Sequence, residues 1–148
     1  MKRTERYPET RTYRYYNANP KNRITADCAA RAISTATGIS YSDVVKGLAD
    51  VQIRTGYEAT EGKGLDIYME SIGWVKNRQP RKEDGTKYTG AEFCQLLSQA
   101  VGHGSVIANI GGHHMVSIMR TDDHGRFKVH DTWDSTDGCI GNYWVKKN

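Results

Sequence analysis

The feature that most constrains the fold is a change of hydrophobic period along the 148-residue chain. In the first two thirds apolar residues recur at helical spacing. In "CAARAISTATG", Ala29, Ala32, Ile33 and Ala36 fall at i, i+3, i+4 and i+7, and Gly38 stands where a helix ends in the left-handed conformation. Thr25 or Asp27 caps that helix. "GISYSDVVKGLAD" predicts a second, short helix, with Ser40 and Asp43 at capping-box spacing. "GLDIYMESIG" predicts a third, with Leu65, Tyr68, Met69 and Ile72 on one face. "TGAEFCQLLSQAVGHG" opens on a Thr89 to Glu92 capping-box spacing and is expected to bury Phe93, Leu96, Leu97 and Ala100. From Ser105 the period becomes two, and "SVIANI", "HHMVSIMRT", "RFKVHDTWD" and "CIGNYWVKK" read as strands, with "DDHG" as a hairpin turn. The expected fold is α+β: N-terminal helices on a C-terminal antiparallel sheet of about four strands.

A chain of this length buries one core without help from disulfides or a metal. Cys28, Cys94 and Cys139 are an odd set with no paired spacing, so thiols in a reducing compartment are expected. No secretory signal or membrane-spanning run is read, so a cytoplasmic location is expected. The formal charge is +4. Residues 1–23 carry the excess and mix Arg11, Arg14 and Arg23 with Tyr13, Tyr15 and Tyr16. That basic, tyrosine-rich arm is set apart from a single domain at 24–148. It either packs its tyrosines on the domain or binds nucleic acid through phosphate contacts and base stacking. The histidines show no CxxC or HExxH spacing, and the glycine-rich stretches lack a phosphate-loop pattern, so no metal or other cofactor is expected.

Cys28 stands in the opening turn of its helix, which is an unusual place for a packing cysteine. With Thr25 as N-cap it is the third helical residue, close to unpaired N–H groups and the positive end of the helix dipole. That setting and a neighbouring imidazolium lower a thiol from about 8.5 into a range of roughly 3.5 to 7.5, whereas Asp27 next door opposes the effect. A base is available in the strands. A four-residue turn at 122–125 sets Thr121 opposite Arg126, so Val116 pairs with Asp131 and His114 with Trp133. His114 and Asp131 are then diagonal neighbours on one face. His113 points the other way.

A cysteine opening a helix, then "HHMVSI", then "HDTWDS", resembles the Cys, His, Asn/Asp order of papain-like cysteine peptidases. The segments "DCAARAISTATGISYSDV", "GGHHMVSI" and "HDTWDS" also resemble small, mostly uncharacterised phage and bacterial proteins described as cysteine-peptidase-like. The resemblance implies a papain-like domain and a thiol hydrolase: a peptidase, isopeptidase or amidase, or an acyl transferase. Cys28 would be the nucleophile, His114 the base and acid, and Asp131 the group that fixes the imidazole. It implies that Trp133 shields the pair from water. It also implies an oxyanion site made of the Cys28 N–H and an upstream side-chain amide, usually a glutamine, for which Asn22 is the candidate here. The implied partner is a peptide, isopeptide or other amide substrate. A catalytically silent binding or inhibitory protein on the same scaffold is the alternative, beside nucleic-acid binding through the arm. The loops "TGYEATEGKG" and "NRQPRKEDGTKY" are expected to border the cleft.

Overall fold

The computed structural model describes residues 1–121 and 124–148. Along the chain lie α1 (Arg3–Arg6), β1 (Tyr13–Tyr15), α2 (Cys28–Thr37), α3 (Tyr41–Thr55), α4 (Gly62–Ser71), β2 (Trp74–Asn77), α5 (Gly90–Gln99), β3 (Val106–Ile110), β4 (His114–Arg120), β5 (Phe127–Asp131) and β6 (Ile140–Lys146). The architecture is α+β. Among the described residues the sheet has six strands in the order β1-β5-β4-β3-β6-β2, not about four. The four expected strands are β3 to β6, all antiparallel where they pair with one another. The two additions are short edge strands, and β1 runs parallel to β5, so the sheet is mixed. Strands as short as "YRY" and "WVKN" give too few residues for an alternation to show.

Side chains of β3 and β4 alternate between two cores, as a period of two requires. Ile107 and Met115 pack with Ile33, Leu48, Leu65 and Trp144 on the side covered by α2, α3 and α4. Val106, Ala108, Val116 and Ile118 pack with Phe93 and Leu97 of α5 and with Tyr13 on the other. Helices thus cover both faces of the sheet, and α2 lies on β4.

The helix ends follow their local chemistry. The Ser40 hydroxyl accepts the Asp43 N–H at 3.1 Å, and α3 runs past the expected short helix to Thr55, where Gly56 ends it at φ 78°. Thr89 and Glu92 form both bonds of a capping box, at 3.1 and 2.9 Å. On α5, Leu96 is 42% exposed and Cys94 takes its place in the core, a correction to the expected buried face. The Thr121 N–H donates to the Arg126 carbonyl at 2.8 Å, flanking the expected "DDHG" turn, of which Asp122 and Asp123 lie outside the described residues.

Part of the arm expected at 1–23 packs on the rest of the chain. Tyr13 is fully buried, its hydroxyl donates to the Asp131 carbonyl at 2.9 Å, and Lys128 on β5 holds Glu9 at 2.5 Å. Tyr16 is exposed. Among the described residues no helix is long and apolar enough to cross a membrane.

Candidate active site

Ser117 pairs with His130 and Ile118 with Val129 across β4 and β5, the same register that a four-residue turn predicts. That register sets the first residue of β4, His114, diagonal to the last residue of β5, Asp131. Their side chains meet, Nε2 to Oδ2, at 2.5 Å. The Asp131 carboxylate is buried, and its other oxygen accepts the Thr132 N–H at 2.7 Å and a guanidinium N–H of Arg31. It is therefore held from three directions, by main chain, helix and neighbouring strand.

The N-cap of α2 is Asp27, not Thr25, so Cys28 is the first helical residue and not the third. No side chain caps this end. The Asp27 carboxylate turns aside instead, accepting from Arg31 Nε at 2.7 Å, Tyr41 Oη at 2.7 Å and Asn19 Nδ2 at 3.0 Å. Partial burial pushes Asp27 up, but those three hydrogen bonds and the Arg31 charge outweigh it and keep the carboxyl below its ordinary range. Burial, joined by the Asp27 contact, pushes Tyr41 up to about 12, so it stays a donor. The charge that was expected to oppose a Cys28 thiolate is matched by the Arg31 cation. The first-turn N–H groups, which have no acceptor within the helix, lie at Cys28, Ala29 and Ala30, all of which line a cleft.

Cys28 is half-buried, with its sulfur beside His114 and the Met115 N–H. Burial pushes the thiol up, yet the pull of the His114 imidazole and the Met115 N–H, with the charges of His114 and Arg31, outweighs it, and the thiol falls below its ordinary value. Burial pushes His114 down, but the hydrogen bonds to Asp131 and Cys28 and their negative charges prevail and raise it to about 9. Because Nε2 is taken by Asp131, Nδ1 is the imidazole nitrogen left for the sulfur. The two shifts favour a protonated imidazole and an ionised thiol, with the sulfur at a helix N-terminus.

Trp133 stacks on the imidazole with ring centroids 5.0 Å apart at 39°, and is itself 37% exposed. Asn22 is not brought to the site. It sits in an exposed turn at φ 54°, its N–H on the Asn19 carbonyl at 2.9 Å, and it is not among the residues lining the cleft. The pattern around Pro20 is turn chemistry, with Asn17 and Asn19 accepting main-chain N–H groups two residues on.

The cleft has a volume of about 750 Å³ and runs from Cys28 between α3, the loop before α4, and the sheet. Leu48, Leu65, Met115 and Trp144 make its floor, and Glu58 and Glu61 stand at its edge. "TGYEATEGKG" borders it as expected, whereas no residue of "NRQPRKEDGTKY" does. Its side-chain amides are Gln52 and Asn109. Asn109 sits at an irregularity in the β3 to β6 pairing and faces Met115 across β3 and β4. It was missed in the sequence, although it is the only amide within the apolar run "SVIANI".

The larger omission is Arg31, only 7% exposed and bonded to both Asp27 and Asp131. Its signal was a charged residue on an alanine-rich helix, four residues after an aspartate. The remaining thiols and histidines lie apart. Cys94 is buried on α5, where desolvation pushes it up to about 12, and Cys139 is exposed beside β6. His113 is exposed on the cleft edge, while His103 and His130 bond to the carbonyls of Gly104 and Lys128. No family model, curated protein or solved structure matches the chain.

Proposed function

We propose that this protein is a thiol hydrolase of the papain-like kind, acting on a peptide, isopeptide or related amide through an acyl-thioester. The observation that carries the reading is the juxtaposition of Cys28, His114 and Asp131, the imidazole bonded to the carboxylate and the sulfur beside it at an uncapped helix N-terminus on the wall of a cleft. Three element ends meet there, which is an expensive arrangement for a purely structural cysteine.

In this reading the Cys28 thiolate adds to the substrate carbonyl carbon, and the oxygen gains the negative charge beside the Cys28 N–H. His114 gives its proton to the nitrogen as the carbon–nitrogen bond breaks, and the amine leaves. Water then loses a proton to His114 and attacks the thioester, releasing the acid and returning the thiolate. Asp131 keeps the imidazole oriented through both steps, and Trp133 covers one face of it. Asn109 or Gln52 from the cleft wall replaces Asn22 as the side-chain amide available to the substrate.

The test is the pH dependence of iodoacetamide alkylation at each thiol, read by mass spectrometry in the wild type and in His114→Ala. Cys28 should react below the ordinary thiol range in the wild type and lose that advantage without His114. Buried Cys94 should stay unlabelled in the folded protein. A Cys28 that needs ordinary alkaline pH in both proteins sinks the catalytic reading and leaves a silent binding protein in its place.

A further inference from the structure

We infer that Arg31 is a positioning residue for the reaction: its buried guanidinium couples the helix that carries Cys28 to the carboxylate that orients His114. The inference rests on the proposed thiol chemistry and adds a residue to it. Arg31 lies one turn beyond Cys28 on α2, and its donors diverge to two elements. Nε reaches Asp27 Oδ1 at 2.7 Å, and a terminal nitrogen reaches Asp131 Oδ1 on β5, a hundred residues away in sequence. Asp131 presents its second oxygen to His114. The order of charges is thus Asp27, Arg31, Asp131, His114, Cys28, with alternating sign when the thiol is ionised.

Two effects follow from removing the guanidinium. The helix loses its tie to β5, so the sulfur and the imidazole are no longer held by a common brace. The charge balance changes as well. Cys28 loses a favourable cation, and Asp131, no longer shared, acts on His114 alone. Both titrations should move to higher pH. The other groups around this chain are Tyr41 from α3 and Asn19, both on Asp27, and Tyr13 from β1, on the Asp131 carbonyl. Arg3 of α1 donates to the adjoining Thr132 carbonyl at 2.9 Å. All of these remain when Arg31 is changed. Lysine keeps the charge but has no planar fork with which to span two carboxylates, so it separates the two effects.

The experiment measures the pH profile of Cys28 alkylation, with the His114 titration by NMR, in the wild type, Arg31→Lys and Arg31→Met. Arg31→Met should shift the acid limb up by about one unit, roughly a tenfold lower rate below it, and should raise the His114 titration too. Arg31→Lys should hold the limb near its wild-type position while lowering the plateau rate. Wild-type profiles and plateaus in both variants overturn the inference. If Arg31→Met does not fold, Arg31→Lys decides alone, a wild-type plateau in it being the overturning result. If neither folds, Arg31 is a packing residue and the inference fails. A wild-type Cys28 without reactivity below the ordinary thiol range overturns the thiol chemistry itself, an outcome read without either variant.

Discussion

At the scale of residues, two shifted groups face each other and their effects on stability oppose. His114 is raised in the folded protein, so its contribution is fully present below its unfolded value of about 6.5 and is lost as pH rises through about 9. Cys28 is lowered, so its contribution is present above its unfolded value of about 8.5 and is lost as pH falls through the folded one. Where both groups titrate, the two slopes have opposite sign, so the pH dependence of the wild type is the difference between them. Cys28→Ser removes the thiol slope and leaves that of His114, still raised by Asp131, so its unfolding free energy should decline as pH rises from about 6.5. Urea unfolding at a series of pH values measures this, and equal slopes in the two proteins would contradict it. Arg31→Met leaves two carboxylates without their cation in a largely buried place and should cost about 3–5 kcal/mol. The proximity of His114 to Asp131 was legible because strand register is arithmetic once a turn length is assumed, and the place of Cys28 was legible because the helical period marks where α2 opens. Arg31 was not, because its second partner lies a hundred residues away and only folding brings it near.

Helices at the scale of elements were read well where caps and periodicity agree, as at Ser40, Thr89 and Gly38. The shortest strands escaped, since an edge strand of three or four residues has no face long enough to show. Packing between α3, α4 and the intervening loop adds a constraint that periodicity does not carry. A Cβ on Gly64 would stand 2.1 Å from the Glu58 carbonyl and 2.8 Å from the Ala59 Cα, both main-chain atoms with little room to give. Gly64 thereby lets the loop with Glu58 and Ala59 lie against α4 and shape the cleft wall. Gly64→Ala should lower stability by about 1–3 kcal/mol. It should also change the reactivity of Cys28 toward peptide-sized electrophiles more than toward iodoacetamide, because the displaced atoms border the cleft and not the sulfur. Equal effects on the two reagents would argue against that assignment.

The whole molecule is closed by its first residues. Tyr13 fills the core beside Phe93 and Phe127, and β1 occupies the sheet edge next to the strand that carries Asp131. Deleting residues 1–16 should lower the thermal midpoint and slow Cys28 alkylation at pH 6, although the deleted segment contains none of the reacting groups. Circular dichroism and the labelling assay together check this, and wild-type values in both would show that residues 1–16 do not support the site. The α+β class and the four inner strands were legible at this scale, because patterning reports which residues are buried. The parallel pairing of β1 was hidden, because a basic and aromatic composition says that tyrosines pack on the domain or stack on bases but not that the segment joins a sheet.

The bond from Tyr13 to Asp131 joins residues 118 apart, and the one from Arg31 spans 100. Contacts of that separation close late, since each must overcome the entropy of a long loop before it gains anything. The hydrogen bonds of α2 are local, whereas its tie to Asp131 needs β5 in place between β1 and β4. Until then Asp131 holds neither His114 nor Arg31, and a partly unfolded chain should carry Cys28 as an ordinary thiol, without the assembled site of the proposed reaction.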